Sequence, residues 1–346
     1  MRRPTSSLEH RSFRRGLSFA VVTLAGIAGW VALADHGGVR YTGVARVELP
    51  LPSTGPEQAA DLALPRSAVA IGAAPLDLTL TEDGPFGPLP RIGPDGRRPL
   101  FEYARPFNFG DSRPKVAILL LGLGLHAELF DAALALPGAV SLQLSPYAPD
   151  LPALVERARR AGHEVLLDLP MEPADYPASD PGPHTLLADN SRDENLQRLS
   201  WLLARAPGYI AMAGGGARFA GSANVGDVLD VLARRGLALI EVGASQLEPA
   251  AAAAGLPYAS ARRAVDHDSS APAIDDALAA LDAEALAGGS ALGAVQGDPV
   301  SLERLRMWAA TLDAKRLVLA PVSAALIEQA GLTRGANGWP ARRPPV

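Results

Sequence analysis

Two carboxylates, Asp168 and Glu172, stand four residues apart in the segment LLDLPMEP, where an apolar run gives way to prolines. Carboxylates can act as general acid or base, and they can also bind a metal ion or a sugar hydroxyl. Asp266 and two loop histidines, His184 and His267, could join them if the fold brings the loops together. Asp168, Glu172 and Asp266 are therefore the candidate catalytic residues. Because the chain has no cysteine, any metal would need ligands from His, Asp or Glu.

The segment MAGGGARF offers a second kind of site. The guanidinium of Arg218 can hold sugar hydroxyls or an acidic group through paired hydrogen bonds, so Arg218, Glu172 and Asp168 are candidate substrate-binding residues. The glycines could expose N–H groups to an anion, but their spacing matches neither GxGxxG nor GxxxxGK(S/T). Structural roles remain open: Glu172 could cap the next segment, and Asp168 could accept backbone hydrogen bonds.

A parallel α/β fold would bring these residues to one place. From residue 115 onward, apolar runs of strand length alternate with helical patterns, which is typical of repeated βα units. The predicted strands cover residues 115–121, 140–144, 164–169, 208–213, 237–242, 291–295 and 316–319. This alternation can form an open doubly wound sheet or an incomplete barrel. In both folds the functional residues lie just after the C-terminal ends of the strands.

The first 34 residues are typical of a targeting segment. Five arginines precede an uncharged run at residues 16–34, an asymmetry that keeps an N-terminus in the cytoplasm. A cleaved signal peptide, ending at Ala32-Leu33-Ala34, and an uncleaved membrane anchor both fit this run. Either one predicts that the rest of the chain is periplasmic, held at the membrane through residues 16–34 if they are retained.

Composition divides the remaining chain into three parts. Residues 35–113 are rich in proline and glycine and predict a largely extended linker; residues 114–326 form the predicted folded domain, and residues 327–346 a C-terminal tail. With 48% hydrophobic residues, the chain can bury a substantial core. A net charge of −5 provides no basic excess, so we do not expect nucleic-acid binding.

Several segments match a known family in the same order along the chain. The clearest is AGHEVLLDLPMEP, and SPYAPD, GPHTLL, ARF and VDHD are further matches. They resemble the divergent polysaccharide deacetylases, whose version of the first segment reads GHEvllhlPMEP and whose relatives are metal-dependent enzymes that remove acetyl groups from cell-wall sugars. The resemblance covers residues 114–326. It implies a modified, incomplete (β/α) barrel of about seven parallel strands, and a divalent metal such as zinc.

The chain departs from the family where the resemblance implies metal ligands. LLGLG replaces IDDLG, which places Leu121 and Gly122 where two aspartates are implied. MAGGGARF replaces NNHMGSRF, which places Gly214 where a histidine is implied; QGDP replaces a GHP turn, and Asp168 replaces the histidine before LPMEP. A hydrolytic metal needs about three fixed ligands and an open position for water. We therefore expect no bound cofactor, with Leu121, Gly122 and Gly214 as degenerate metal positions.

Three functions are compatible with this pattern. The first is a catalytically inactive envelope protein that binds a cell-wall glycan or another envelope protein through the former active-site cleft. The second is an active carbohydrate deacetylase or hydrolase with a relocated site built from Asp168, Glu172, His184, Asp266 and His267. The third is a membrane-tethered scaffold that holds the folded domain at a distance from the membrane. The lost metal positions favour the first.

Overall fold

The computed structural model describes residues 76–329, 332–334 and 340–342. The predicted targeting segment and the predicted linker up to residue 75 lie outside the described residues, as does part of the predicted tail. Among the residues that are described, no helix is both long enough and apolar enough to cross a bilayer.

Strands and helices alternate along the described chain. It begins with a 3-10 turn at Leu78–Leu80, strands β1 (Thr81–Gly84) and β2 (Gly87–Pro90), and helix α1 (Pro99–Glu102). The strands of the main sheet are β3 (Lys115–Leu123), β4 (Ser141–Leu144), β5 (Val165–Asp168), β6 (Ala211–Gly214), β7 (Ala238–Val242), β8 (Tyr258–Ala261), β9 (Arg263–Ala264), β10 (Ser290–Gln296) and β11 (Val318–Ala320). The helices around it are α2 (Ala127–Leu134), α3 (Leu151–Arg160), α4 (Arg192–Leu203), α5 (Ala217–Ala220), α6 (Val225–Arg234), α7 (Glu248–Ala253), α8 (Ala271–Gly288), α9 (Pro299–Ala309) and α10 (Val322–Gln329). A short antiparallel pair follows, β12 (Leu332–Arg334) and β13 (Pro340–Arg342).

The main sheet has the order β8-β7-β6-β5-β4-β3-β10-β9, and each of these pairs is parallel. β11 pairs with the start of β3. It lies on the same side of β3 as β4, which pairs with the end of β3. A single residue, Arg262, separates β8 from β9, so the chain passes from one edge of the sheet to the other and nearly closes it. The prediction of an incomplete (β/α) barrel is confirmed. β8 and β9 are additional to the seven predicted strands.

Side chains of the sheet alternate between two apolar layers. Alternate residues of β3 from Val116 to Leu120 pack outward against the helices, while Ala117, Leu119 and Leu121 point into the barrel. All of them are buried, as expected of a parallel sheet that is covered on both faces. Leu121, predicted to stand at a lost metal position, is therefore part of the barrel core.

The strands begin at one end of the barrel, which we call the closed end because both ends of the described chain fill it. Leu80, Leu100 and Tyr103, from an N-terminal arm of residues 76–105, enter the barrel core there, as does Val322 of α10. The arm thus differs from the predicted extended linker. Proline and glycine dominate its composition, but Leu80 and Leu100 are completely buried and hold it against the barrel.

A buried carboxylate, Glu164, joins the arm and α10 at the closed end. Its oxygens accept hydrogen bonds from the main-chain N–H of Arg105 (2.8 Å) and of Ser323 (3.1 Å), and from the hydroxyls of Ser323 and Ser141. Burial raises the pKa of this carboxyl, and the hydrogen bonds partly oppose that shift. Because buried polar groups need partners, the four donors and the carboxylate stabilise one another.

Candidate functional site

The strands end at the opposite pole, the open end, where one side chain joins three strands. Gln143 of β4 faces the barrel interior and is 6% exposed. Its carboxamide oxygen accepts the N–H of Gly122 at the end of β3 (3.1 Å). Its nitrogen donates to Asp168 Oδ1 at the end of β5 (2.9 Å) and to the Ala213 carbonyl of β6 (2.9 Å). Gln143 therefore uses both of its N–H groups in fixing the open end.

Asp168 lies at this open end with a perturbed carboxyl. Its side chain is partly buried, and burial raises its pKa from 3.8 to about 7, although hydrogen bonds from Leu169 and Gln143 oppose the shift. Tyr147, just after β4, is close by: burial raises the pKa of the Tyr147 hydroxyl, and the Asp168 charge raises it further. A carboxyl with a pKa near neutrality can exchange a proton or bind a donor group of a ligand.

Main-chain atoms occupy the space around the predicted metal positions. At Gly214, an added Cβ would overlap the carbonyl oxygen of Leu169, well inside the 3.0 Å that real Cβ atoms keep. An added Cβ at either of the two glycines that follow would likewise overlap main-chain atoms, of the end of β7 at Gly215 and of the loop after β5 at Gly216. Gly122 has a φ of +71°, which strains any residue with a Cβ, and an added Cβ would lie 3.3 Å from Gln296 Oε1. The glycines thus allow a close backbone approach where side-chain ligands are implied.

Glu172 and Arg218 form an ion pair beyond the end of β5. The Glu172 carboxylate lies 3.0 Å from Arg218 Nη1 and accepts the Ala188 N–H at 2.6 Å, so it also holds the following loop. Arg218 contacts Asp189 as well, at 2.6 Å. The Glu172 side chain is buried, whereas Arg218 and Asp189 are exposed. The pair forms a hydrogen-bonded group separate from Asp168 and Gln143.

His184, on the loop between β5 and α4, belongs to an aromatic cluster with Tyr147 and Trp201. Its ring stacks on Trp201, with centroids 3.6 Å apart and planes at 3°, and the Arg205 guanidinium lies 4.7 Å from the centre of the same indole. The Tyr147 hydroxyl accepts the main-chain N–H of His184 at 3.1 Å. Burial lowers the pKa of His184, as do the charges of Arg198 and Arg205. His184 therefore packs within this cluster, which holds the loop against α4 and Tyr147.

Asp266 and His267 follow β9, on another part of the open end. Asp266 accepts the N–H of Gln296 (2.6 Å) and the hydroxyl of Ser301 (3.0 Å), so it joins β10 to the start of α9. His267 is exposed. In the described part of the chain, no three or more His, Asp or Glu side chains form a group that could hold a metal ion. The residues proposed for a relocated site lie in separate clusters.

The donor set at the open end does not fit the divalent metal that the family implies. Leu121 is apolar, and Gly122 and Gly214 have no side chain, so Asp168 would be a single carboxylate ligand. Gln143 donates an N–H to Asp168 and does not turn its oxygen toward it, and that polarity opposes a cation shared by the two side chains. A hydrolytic metal needs about three protein ligands, and these residues do not supply them.

Sequence reasoning missed three residues of the open end: Gln143, Tyr147 and Trp201. For Gln143 a signal was present, because the segment SLQLS places polar side chains at the inward positions of a buried parallel strand. Tyr147 and Trp201 carried no such signal. They come from different parts of the chain, and only the fold brings their rings to within 5.8 Å of each other and beside His184.

Comparison with known proteins identifies the family of this barrel. The family described as divergent polysaccharide deacetylase matches residues 118–326. Among solved structures, an uncharacterized protein from Agrobacterium tumefaciens C58 is 32% identical with a TM-score of 0.66, and the match covers 69% of this chain and 99% of that one. A protein from Coccidioides immitis, described as a possible fructose-1,6-biphosphate aldolase, is 14% identical. The match covers 70% of this chain and 98% of that one, but its TM-score is only 0.29. No curated protein matches. The chain belongs to the divergent polysaccharide deacetylase family.

Proposed function

We propose that this chain binds an envelope glycan at the open end of its barrel and does not hydrolyse it through a metal. Family membership supports a carbohydrate-related function. The observation that carries the proposal is at Gly214, where the Leu169 carbonyl fills the space in which the Cβ of a histidine ligand would begin. The other two metal-ligand positions are occupied by Leu121, which is apolar, and by Gly122, which has a positive φ. The barrel and a polar open end remain.

The remaining polar groups suit binding without bond cleavage. Gln143 holds Asp168 in place, and the exposed side chain of Gln296 lies near Gly122 at the same end. Groups that are fixed before the ligand arrives lose little conformational freedom on binding, so they can hold sugar hydroxyls with small entropic cost. Without a metal, no group at this end would lower the pKa of an attacking water toward neutrality.

The test of this function measures binding and turnover on the same sample. The purified full-length chain is titrated with an N-acetylated oligosaccharide by calorimetry, and acetate release is followed with zinc added and with chelator added. We expect binding without acetate release. Zinc-dependent release that chelator abolishes would contradict the proposal, and so would the absence of binding to any saccharide. Gln143→Ala should weaken binding, whereas Gln197→Ala, on the exposed surface of α4, should not.

We also propose that residues 1–34 export the domain to the periplasm, where its ligand is a cell-wall glycan or, alternatively, another envelope protein. The support is the cluster of five arginines before the uncharged run at residues 16–34. A reporter that is active only in the periplasm, fused after Val346, should be active. A fusion that accumulates but stays inactive would contradict the proposed location.

A further inference from the structure

We infer that the open end selects glycans that carry free amino groups, with the Asp168 carboxylate pairing with the primary ammonium of an amino-sugar unit. This inference rests on the proposed function and names the ligand class of the same site. The ligand is distinguished from an acetylated sugar by charge: an ammonium carries a full positive charge and three N–H donors, while an acetamido group is neutral and has one N–H.

The first argument is that Asp168 has no cationic partner. Its Oδ1 accepts an N–H of the neutral Gln143 carboxamide at 2.9 Å, and no ion pair between described residues includes it. Glu172, four residues later, is by contrast paired with Arg218 at 3.0 Å. A partly buried carboxylate without a cation is stabilised by a ligand that supplies one. Burial raises the pKa of Asp168, and no neighbouring cation offsets that shift.

The second argument is the polarity of the groups around Asp168. Both N–H groups of Gln143 are already used, on Asp168 and on the Ala213 carbonyl. The carboxylate therefore offers free acceptor capacity but no free donor. A ligand that presents donors fits this arrangement, whereas the carbonyl oxygen of an acetamido group would meet the lone pairs of Asp168.

The third argument is the charge of the loops that follow the strands. Exposed carboxylates of these loops without an ion pair to another described residue are Asp150, Asp175, Asp180 and Asp268. The arginines in or next to these loops, by contrast, each have an acidic partner: Arg192 at the start of α4, Arg218 in α5, Arg262, and Arg263 of β9. Arg198 of α4 and Arg205, just after the end of α4, donate to main-chain carbonyls. Unpaired carboxylates around an opening favour the approach of a cation.

The experiment compares three sugars of equal length on the full-length chain near neutral pH, with chelator present throughout. The probes are the trimers of glucosamine, of N-acetylglucosamine and of glucose, each titrated by calorimetry. We expect the glucosamine trimer to bind about tenfold more tightly than the other two, as a charge-assisted hydrogen bond allows. Asp168→Asn should abolish this preference. Asp83→Asn is the matched control and should keep it, because Asp83 is exposed on β1 of the N-terminal arm, away from the open end.

The possible outcomes separate this inference from the proposed function. If the acetylated or the neutral trimer binds as tightly as the amino trimer, the inference is overturned while glycan binding stands. If no trimer binds, both are overturned. If Asp168→Asn, with an unchanged melting temperature or a higher one, still prefers the amino trimer, Asp168 is not the group that selects it and the inference is overturned.

Discussion

Replacing Asp168 by asparagine should stabilise the fold at alkaline pH and leave its stability nearly unchanged at acidic pH. Folding raises the pKa of this carboxyl from 3.8 to about 7, so the folded chain holds the proton more tightly than the unfolded chain. The resulting stability is complete below the unfolded pKa and is lost as the pH rises through about 7. Asparagine keeps an oxygen for the hydrogen bond from Gln143 (2.9 Å) but does not ionise.

The size of the effect follows from the pKa shift. At ~1.4 kcal/mol per pH unit, the shift corresponds to at most ~4 kcal/mol well above pH 7. Because Asp168 is only partly buried and solvent screens its charge, we expect the variant to gain about 2 kcal/mol at about pH 8.5. Urea unfolding followed by circular dichroism measures the free energy of unfolding at about pH 4.5 and about pH 8.5. The exposed control Asp83→Asn should leave the free energy of unfolding nearly unchanged. A gain that is equal at both pH values, or absent at the higher one, would refute the reasoning.

Three further changes test other parts of the fold. Glu164→Ala leaves the main-chain N–H groups of Arg105 and Ser323 without acceptors and should lower the free energy of urea unfolding by about 3–5 kcal/mol. Ser323→Ala should cost about 1 kcal/mol, and equal costs would contradict this account. Gly214→Ala forces a Cβ onto the Leu169 carbonyl and should lower the melting temperature, with a cost of about 2 kcal/mol; an unchanged melting temperature would show that the loop yields freely. Deletion of residues 76–105 uncovers the barrel core and should abolish cooperative thermal unfolding; a sharp transition would show that the arm is dispensable.

The barrel could be predicted from the sequence because parallel strands buried on both faces read as continuous apolar runs, such as KVAILLLGL in β3. β8 and β9 gave no such signal. Apart from Tyr258, their sequence YASARRA consists of small residues and arginines. The two residues of β9 are exposed, and they pair with β10 only because the barrel closes there. The arm escaped prediction for a related reason. Two leucines among many prolines and glycines do not produce a periodic pattern, although the barrel core buries both.

The open end could be predicted only in part. Asp168 stood out because it follows a strand, and the glycine at position 214 was noticed as the loss of a ligand. What the sequence did not reveal is that this glycine is needed for packing, because the contact with the Leu169 carbonyl joins residues far apart in the chain. His184 shows the reverse case. As a loop histidine it was a candidate ligand, but tertiary contacts place its ring on Trp201.

The position of the arm and α10 determines how the barrel would respond to mechanical load. Leu76, where the described chain begins, lies against Gly208 just before β6, and α10 also enters at the closed end. A force applied through either terminus would act on contacts of the closed end, among them the Glu164 hydrogen bonds to the arm and to α10. Gln143 and Asp168 lie at the other pole, beyond the full length of the strands. Tension on the termini would therefore break the closed end before it distorted the groups at the open end.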